Sequence, residues 1–310
     1  MTVTLPGLRD VVRRFHFERR PVRGHWVRLD AAWRELRAHA HYPPAVTALL
    51  GEAVAAAVLL ASTLKFRGTL TFQLQGDGAV GLLVAQCTHD FRLRAVARCD
   101  TAALERLAAR GDGGPEFRDL AGAHGRVTVT IEAEERQLRY QGVVPLAGAS
   151  LAESLEAYFA SSEQLPTRVL LAADEHGSAG LLVQKLPQDR GGETEEGAAA
   201  WDGAREGMTR VTRAALLRAS AESLLTEGFG AHELRLFEGA PVRFECRCNP
   251  GRVAGLLRAL GAEEVRDILR EQGAVTVTCE FCHRPYRFDA VDVEALFTET
   301  LAPGSSDLVH

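Results

Sequence analysis

The sequence lacks a surplus of positive charge. Lysine and arginine together number 36, against 41 aspartates and glutamates, so the formal net charge is −5. Proteins that bind nucleic acid need a basic face, because contacts with the phosphates supply most of the affinity. We therefore expect no specific nucleic-acid partner.

Motifs that hold a nucleotide or activate a hydrolytic nucleophile are missing as well. The chain contains no G-x-x-x-x-G-K-[ST], no G-x-G-x-x-G that opens a helix, no G-x-S-x-G and no H-E-x-x-H. The glycines within residues 75–78 are better explained by a hairpin turn. These absences leave no convincing active site, and we expect a protein that is not an enzyme.

Long apolar segments are scarce. The first twenty residues lack the apolar stretch and cleavage site of a secretory signal, so we expect a cytoplasmic protein. The one segment long enough to span a bilayer, residues 45–64, is rich in alanine and contains Glu52. We interpret it as a buried helix that begins near Pro44, and we expect no membrane partner.

The chain up to residue 187 mixes strand and helix signals. Apolar alternation at 24–29 and 68–74 predicts strands, and a hairpin is predicted over 127–131 and 138–144. The fold class that follows is α+β, with a strand-rich N-terminal domain around the long buried helix. Further strands are predicted at 80–84, 91–97, 168–172 and 180–186, and a further helix at 151–161.

Composition changes after Pro187. Residues 188–200 are polar and rich in glycine, which is typical of a linker, and residues 205–225 favour a marginally apolar helix that is either docked or able to detach. We therefore expect three domains: an N-terminal α+β domain over 1–187, a flexible or helical linker over 188–240 and a small C-terminal domain over 241–310.

The C-terminal domain is predicted to contain two short strands, at 242–245 and 274–278, and two short helices, at 252–260 and 263–270. Each strand leads directly into a pair of cysteines. A domain of this size has a marginal hydrophobic core without a metal ion or another cross-link.

Four of the six cysteines lie in this domain. Cys246-x-Cys248 is followed, after thirty intervening residues, by Cys279-x-x-Cys282. In a reducing compartment such pairs are metal ligands or redox centres, and four thiolates suit the tetrahedral preference of Zn²⁺. The spacing therefore predicts one Zn²⁺ with these four cysteines as its ligands.

The residues alone leave three interpretations of this site open. It is a structural zinc site, a dithiol–disulfide switch without metal, or a zinc site that can be oxidised. Disulfides within each pair would be local and would remove all four ligands. Arginines near the pairs favour the thiolate form and balance its charge: Arg243, Arg247, Arg252, Arg284 and Arg287.

Other candidate ligands carry weaker signals. Cys87 and Cys99 lie among apolar residues on or beside predicted strands, so both are expected to be core residues. His283 follows Cys282 directly, but four cysteines already complete a tetrahedron, so His283 is not expected to bind the metal.

The sequence resembles the bacterial redox-regulated 33 kDa heat-shock chaperonins over nearly its whole length. The most specific mark is the cysteine spacing within PVRFECRC and VTCEFCHRPYRF. The N-terminal part matches, in order, through VRGHWVRL, HAHYPPAVTALLGEA, LKFRGTLTFQLQGDG, RYQGVV and YFASSEQLPTRV. The segment Asn249-Pro250-Gly251 and His283 depart from the family pattern but leave the ligands intact.

The resemblance implies a thiol-switched holdase. In the reduced state the four cysteines would hold one Zn²⁺. Oxidation by peroxide or hypochlorous acid would form the disulfides Cys246–Cys248 and Cys279–Cys282, release the metal, unfold the tail and loosen the linker. The protein would then hold unfolding client proteins without ATP, as a homodimer, on residues 205–225 and the face that they cover.

Two other functions stand beside this one. The first is a constitutive zinc-ribbon interaction module with a purely structural four-cysteine site. The second is a thiol–disulfide oxidoreductase, a class that usually places C-x-x-C at the start of a helix near a βαβ unit. Cys279 instead follows a predicted strand, which argues against this second alternative.

Overall fold

The chain divides into two units, Met1–Glu245 and Cys246–His310, which are described separately. The computed structural model describes residues 10–110, 114–134, 138–187 and 194–298. Residues 188–193 of the predicted linker and residues 299–310 of the predicted C-terminal domain lie outside the described residues. The described elements form the α+β fold that the sequence predicts.

The helix α2, Pro44–Thr63, forms the centre of the first unit. Pro44 occupies its first turn, where a missing backbone N–H does no harm. The helix is long and apolar enough to cross a membrane, but 78% of its most apolar stretch of 18 residues is buried inside the protein. It is therefore a core helix, as predicted, and it packs between the two six-stranded sheets.

The first sheet has the strand order β10-β1-β2-β9-β8, and β11 pairs with the first two residues of β1. All of its pairings are antiparallel. Its strands are β1 Val11–Phe17, β2 Val22–Leu29, β8 Thr167–Ala173, β9 Ser178–Lys185, β10 Leu234–Leu236 and β11 Ala240–Pro241.

The second sheet has the order β12-β5-β4-β3-β6-β7, in which only β12 runs parallel to its neighbour among the described pairings. The predicted hairpin turn at 75–78 joins β3 to β4. Its strands are β3 Gly68–Gln75, β4 Val80–Thr88, β5 Arg92–Cys99, β6 Arg126–Ala133, β7 Leu138–Pro145 and β12 Arg243–Phe244.

Shorter helices complete this part of the unit. They are α1 Ala31–Arg37, α3 Thr101–Ala108, α4 Phe117–Ala121 and α5 Leu151–Tyr158, which continues as a π-helical turn over Phe159–Glu163. The helix predicted at 151–161 is thus confirmed, but its last turn widens. Cys87 is fully buried, as predicted, whereas Cys99 is half-buried and packs at the edge of the core.

The predicted linker differs from its expected form. The structure has three short helices, α6 Glu195–Arg210, α7 Arg213–Arg218 and α8 Ala221–Phe229, which we call the linker helices. The prediction of one helix over 205–225 was wrong in its bounds, because new helix starts are capped by Thr212 and Ser220. Helix α6 also begins ten residues before the predicted start.

The second unit has a small core of its own. Helix α9, Pro250–Leu260, precedes α10, Ala262–Gln272, and α10 ends at Gly273 in the left-handed region. Strands β13, Val275–Thr278, and β14, Pro285–Phe288, form a hairpin, and α11, Ala290–Thr298, follows. The buried residues of this core are Val253, Ala254, Leu257, Val265, Val275, Tyr286, Phe288, Val293 and Leu296.

Candidate metal centre

The two cysteine pairs are positioned by different local structures. Cys246 and Cys248 lie just before α9, whose start is fixed by the Asn249 side chain, which accepts a hydrogen bond of 2.9 Å from the Arg252 N–H. The second pair lies in the turn between β13 and β14. The backbone N–H of Cys279 donates to the Arg284 carbonyl at 3.0 Å, which closes that turn.

The four sulfur atoms converge on one point. All of them lie within 4.8 Å of one another, and no His, Asp or Glu joins this group among the described residues. The sulfur atoms lie 3.4 Å apart between Cys248 and Cys282, 3.5 Å between Cys246 and Cys248, and 3.6 Å between Cys246 and Cys279. The structure thus brings together all four residues that the sequence predicts as ligands.

This arrangement fits a tetrahedral metal site. A zinc ion with Zn–S bonds of about 2.3 Å requires sulfur–sulfur edges of about 3.8 Å. Three of the sulfur–sulfur separations, at 3.4–3.6 Å, come close to that value. The donor set is also soft and closed, which suits Zn²⁺ better than Mg²⁺ or Ca²⁺. The four cysteines could therefore hold a metal ion and are compatible with zinc.

The environment of the thiols is unequal. Desolvation alone raises the pKa of Cys248, but hydrogen bonds from Tyr286 and the other cysteines outweigh it and bring the pKa to about 7. Desolvation raises the pKa of Cys282 to about 12, and it also raises the pKa of Cys246. Of Cys246, Cys248 and Cys282, Cys248 is thus the thiol that most readily carries a negative charge at neutral pH.

Two residues beside the cluster support this charge. The hydroxyl of Tyr286 lies 3.0 Å from the sulfur of Cys248. The pKa of Arg284 is raised by its hydrogen bond to Tyr286 and by the nearby charges of Tyr286, Cys248 and Cys282. Arg284 was one of the predicted compensating arginines. Tyr286 was missed, although its place four residues after Cys282, on the strand that returns from the turn, could have indicated it.

A second candidate surface lies in the first unit, on the side of the first sheet that faces away from α2. Strand β2 alternates between the two sides, so that Val22 and Trp26 face the linker helices while Val27 and Leu29 face α2. We call the apolar residues under the linker helices the linker-covered face. It comprises Val11, Phe15, Phe17, Val22, Trp26, Ala172, Ala179, Leu181 and Val183.

Aromatic packing closes this face. The ring of Phe229 in α8 lies 6.0 Å from Phe15 and 5.6 Å from Phe17, measured between centroids. The indole nitrogen of Trp26 is buried there and finds no hydrogen-bond partner among the described residues. An unpaired buried donor opposes burial by about 1–3 kcal/mol. The linker helices therefore cover an apolar face, and the unpaired indole N–H of Trp26 reduces the free energy gained by covering it.

Comparison with known proteins gives a consistent result. A family model described as Hsp33 protein matches residues 10–289. A 33 kDa chaperonin of Nitrosococcus oceani is 43% identical over 96% of this chain and 98% of its own length. One from Methylobacillus flagellatus is 38% identical over 97% and 99%, respectively.

A solved structure shares the fold. The 33 kDa chaperonin (heat shock protein 33 homolog) of Thermotoga maritima superposes with a TM-score of 0.80 at 22% identity. The superposition covers 95% of this chain and all of the other chain.

Proposed function

The chain belongs to the Hsp33 family of chaperones, and from this premise we propose that it is a redox-regulated, ATP-independent holdase of the cytoplasm and not an enzyme. The observation that carries the proposal is the convergence of four oxidisable sulfurs in a unit with only a small core. We further propose that residues 1–187, 188–240 and 241–310 act as chaperone domain, linker and switch domain.

In the reduced state, Cys246, Cys248, Cys279 and Cys282 would hold one Zn²⁺. A bound zinc ion supplies a cross-link between the segment before α9 and the β13–β14 turn, and structural zinc sites contribute folding free energy directly. Tyr286 orients the Cys248 thiolate through its hydrogen bond.

Oxidation is proposed to join Cys246 to Cys248 and Cys279 to Cys282. In each pair, one thiolate attacks a peroxide oxygen, the O–O bond breaks, and a sulfenic acid forms with loss of hydroxide, which takes up a proton. The partner thiol then attacks that sulfur, and a second water leaves. The formation of each disulfide thus transfers two electrons from a cysteine pair to one peroxide, and it removes two thiolates from the ligand set.

Loss of the cross-link is proposed to unfold the second unit and then to release the linker helices. The linker helices are weak on their own: α6 contains Gly197, Gly203 and Gly207, and α7 has six residues. Glycine within a helix is less favourable than alanine by about 1 kcal/mol. Isolated helices shorter than about 12–15 residues are marginal in water, so the stability of α7 and α8 depends on docking, and the glycines of α6 weaken that helix in the same direction.

Release would expose the linker-covered face to unfolding client proteins. The face offers Phe15, Phe17 and Trp26 beside aliphatic residues, and exposed apolar patches of this kind bind other apolar chains. Holding a client on such a surface needs no nucleotide. We propose that the oxidised protein acts as a homodimer, without a specific nucleic-acid or membrane partner.

The test is light scattering from a thermally unfolding client protein. The chain is added either reduced and zinc-loaded or pretreated with peroxide at raised temperature, and zinc release is followed with a chromogenic chelator. Only the oxidised sample should suppress aggregation, with zinc released in parallel. Cys99→Ser, outside the cluster, should be gated like the wild type. Equal behaviour of both samples would mean a purely structural four-cysteine site.

A further inference from the structure

Helix α2 contains a single charged residue, Glu52. Its side chain is only 13% exposed, and the residues on either side of it in the helix, Gly51 and Ala53, are both buried. Burial raises the pKa of this carboxyl, although Arg213 partly offsets the effect. A buried carboxylate in an apolar helix is unfavourable unless a partner compensates its charge.

The partner comes from the linker. Arg213, the first residue of α7, forms an ion pair with Glu52 and donates a second hydrogen bond of 2.7 Å to the Leu171 carbonyl. Strand β8, which contains Leu171, is an edge strand of the first sheet. Three residues after Arg213, Leu216 is fully buried. One turn of α7 therefore presents a guanidinium and a leucine together.

Two other ion pairs between the linker helices and the rest of the first unit have the opposite arrangement. In the pairs Arg20–Glu196 and Arg13–Glu222 the acid belongs to the linker and is 80% and 63% exposed. Such exposed pairs contribute little to stability. Only in the Glu52–Arg213 pair, among those described, is the acid largely buried beneath the linker. Departure of α7 would uncover a carboxylate at the border of an apolar face.

We infer that Glu52 is an anionic anchor of the client-binding surface, occupied by Arg213 in the closed state and by an arginine of the client in the open state. The inference rests on the proposed function, which supplies the release of the linker. The favoured client segment resembles α7 itself: a helical segment with an arginine followed three positions later by a large aliphatic residue. Arginine suits the site better than lysine, because a guanidinium can reach the carboxylate and the Leu171 carbonyl together.

The test uses fluorescein-labelled peptides and the oxidised full-length protein. The first peptide is VTRAALLRA, residues 211–219 of this chain. The second carries glutamine at the position of Arg213, and the third at the position of Arg218, so the second and third have equal charge. By fluorescence anisotropy the first and third should bind about five- to tenfold more tightly than the second. The difference should shrink at high salt.

Variants of the protein locate the effect. Glu52→Gln should remove the preference for arginine. Glu156→Gln should keep it, because Glu156 is also a largely buried acid but is paired with Arg168 of the sheet rather than with the linker. Equal binding of the three peptides by protein that still suppresses aggregation, or no measurable binding of the first peptide, would overturn the inference alone. Failure of the oxidised protein to suppress aggregation would overturn the proposed function and the inference with it.

A second measurement uses the reduced protein. Arg213→Gln leaves the carboxylate of Glu52 uncompensated, so hydrogen exchange of the α7 amides should accelerate on the order of tenfold. The double variant Glu52→Gln/Arg213→Gln should return exchange towards the wild-type rate. Equal exchange in the single and double variants would show that Arg213 does not compensate Glu52 and would overturn the inference.

Discussion

The hydroxyl of Tyr286 donates a hydrogen bond of 3.0 Å to the sulfur of Cys248. The bond joins β14 to the segment before α9, so it ties the two cysteine pairs together independently of any metal. Groups of this kind orient a metal ligand and hold it in its charged form.

Tyr286→Phe should therefore weaken zinc binding while keeping the ring that packs in the core of the second unit. We expect the zinc dissociation constant to rise about tenfold, because the loss of such an outer hydrogen bond commonly has an effect of 10–100-fold. Competition with a chromogenic chelator at fixed pH measures it. Tyr140→Phe, an exposed tyrosine of the first unit, is the control. Identical constants for Tyr286→Phe and wild type would contradict the role of the hydroxyl.

Removal of zinc under reducing conditions should unfold the second unit while the sheets of the first unit stay folded. Its buried core is small, and a metal cross-link is expected to provide much of its stability. Hydrogen exchange after chelation should show loss of protection in Val275–Thr278 and Pro285–Phe288. Protection in Val22–Leu29 of the first unit should not change. Persistent protection of the β13–β14 hairpin would mean that the unit folds without metal.

Partial oxidation should produce the Cys279–Cys282 disulfide before the Cys246–Cys248 disulfide. A C-x-C disulfide closes a smaller and more strained ring than a C-x-x-C disulfide. The sulfur of Cys248 lies 3.4 Å from Cys282 and 3.5 Å from its own partner Cys246, so proximity alone does not favour the Cys246–Cys248 pair. Ring strain is therefore expected to decide which disulfide accumulates. Mass mapping after substoichiometric peroxide measures it, and a population with Cys246–Cys248 alone would reverse the order.

Two glycines of α6 should respond oppositely to alanine. A Cβ at Gly207 would lie 2.3 Å from the buried ring of Phe229 and 2.7 Å from the Gly228 carbonyl. A Cβ at Gly203 would meet only the half-buried ring of His232, which can rotate.

We expect Gly207→Ala to destabilise the docked linker by about 1–3 kcal/mol through overpacking. Gly203→Ala should stabilise it by up to about 1 kcal/mol through helix propensity. Hydrogen exchange of Glu195–Arg210 in the reduced protein measures both effects. If both variants shifted exchange in the same direction, propensity or packing alone would govern the docking of α6.

The sequence predicts best where a signal is local. The cysteine spacing, the apolar run of α2 and the alternation in β3 each depend on neighbouring residues, and all three correspond to observed features. Helix α1 was missed because its N-terminal amides are capped from a distance: the carboxylate of Asp10 accepts hydrogen bonds from residues 30, 31 and 32.

The linker-covered face likewise could not be predicted from neighbouring residues in the sequence. Strand β1 reads VVRRFHF, in which arginines interrupt the apolar alternation, so it was not predicted as a strand. Its Phe15 and Phe17 are nevertheless buried, because Phe229, more than two hundred residues later, packs against them. Only the fold shows that one sheet is apolar on both sides.

Acid should destabilise the first unit through His25. This side chain is 2% exposed, and its Nδ1 lies 2.9 Å from the hydroxyl of Ser62 in α2. Desolvation, followed by the charges of Arg23 and Arg14, lowers the pKa of His25 to about 3. Between that value and the ordinary pKa of about 6.5, the unfolded chain binds one proton more than the folded chain. The contribution of His25 to the unfolding free energy should thus fall by about 1.4 kcal/mol for each pH unit below 6.5.

Denaturant unfolding of wild type and His25→Gln at pH 7 and pH 5.5 measures this fall, since the variant lacks the pH dependence due to His25 while all other groups titrate alike. Parallel pH dependence in the two proteins would mean that His25 takes up its proton without unfolding.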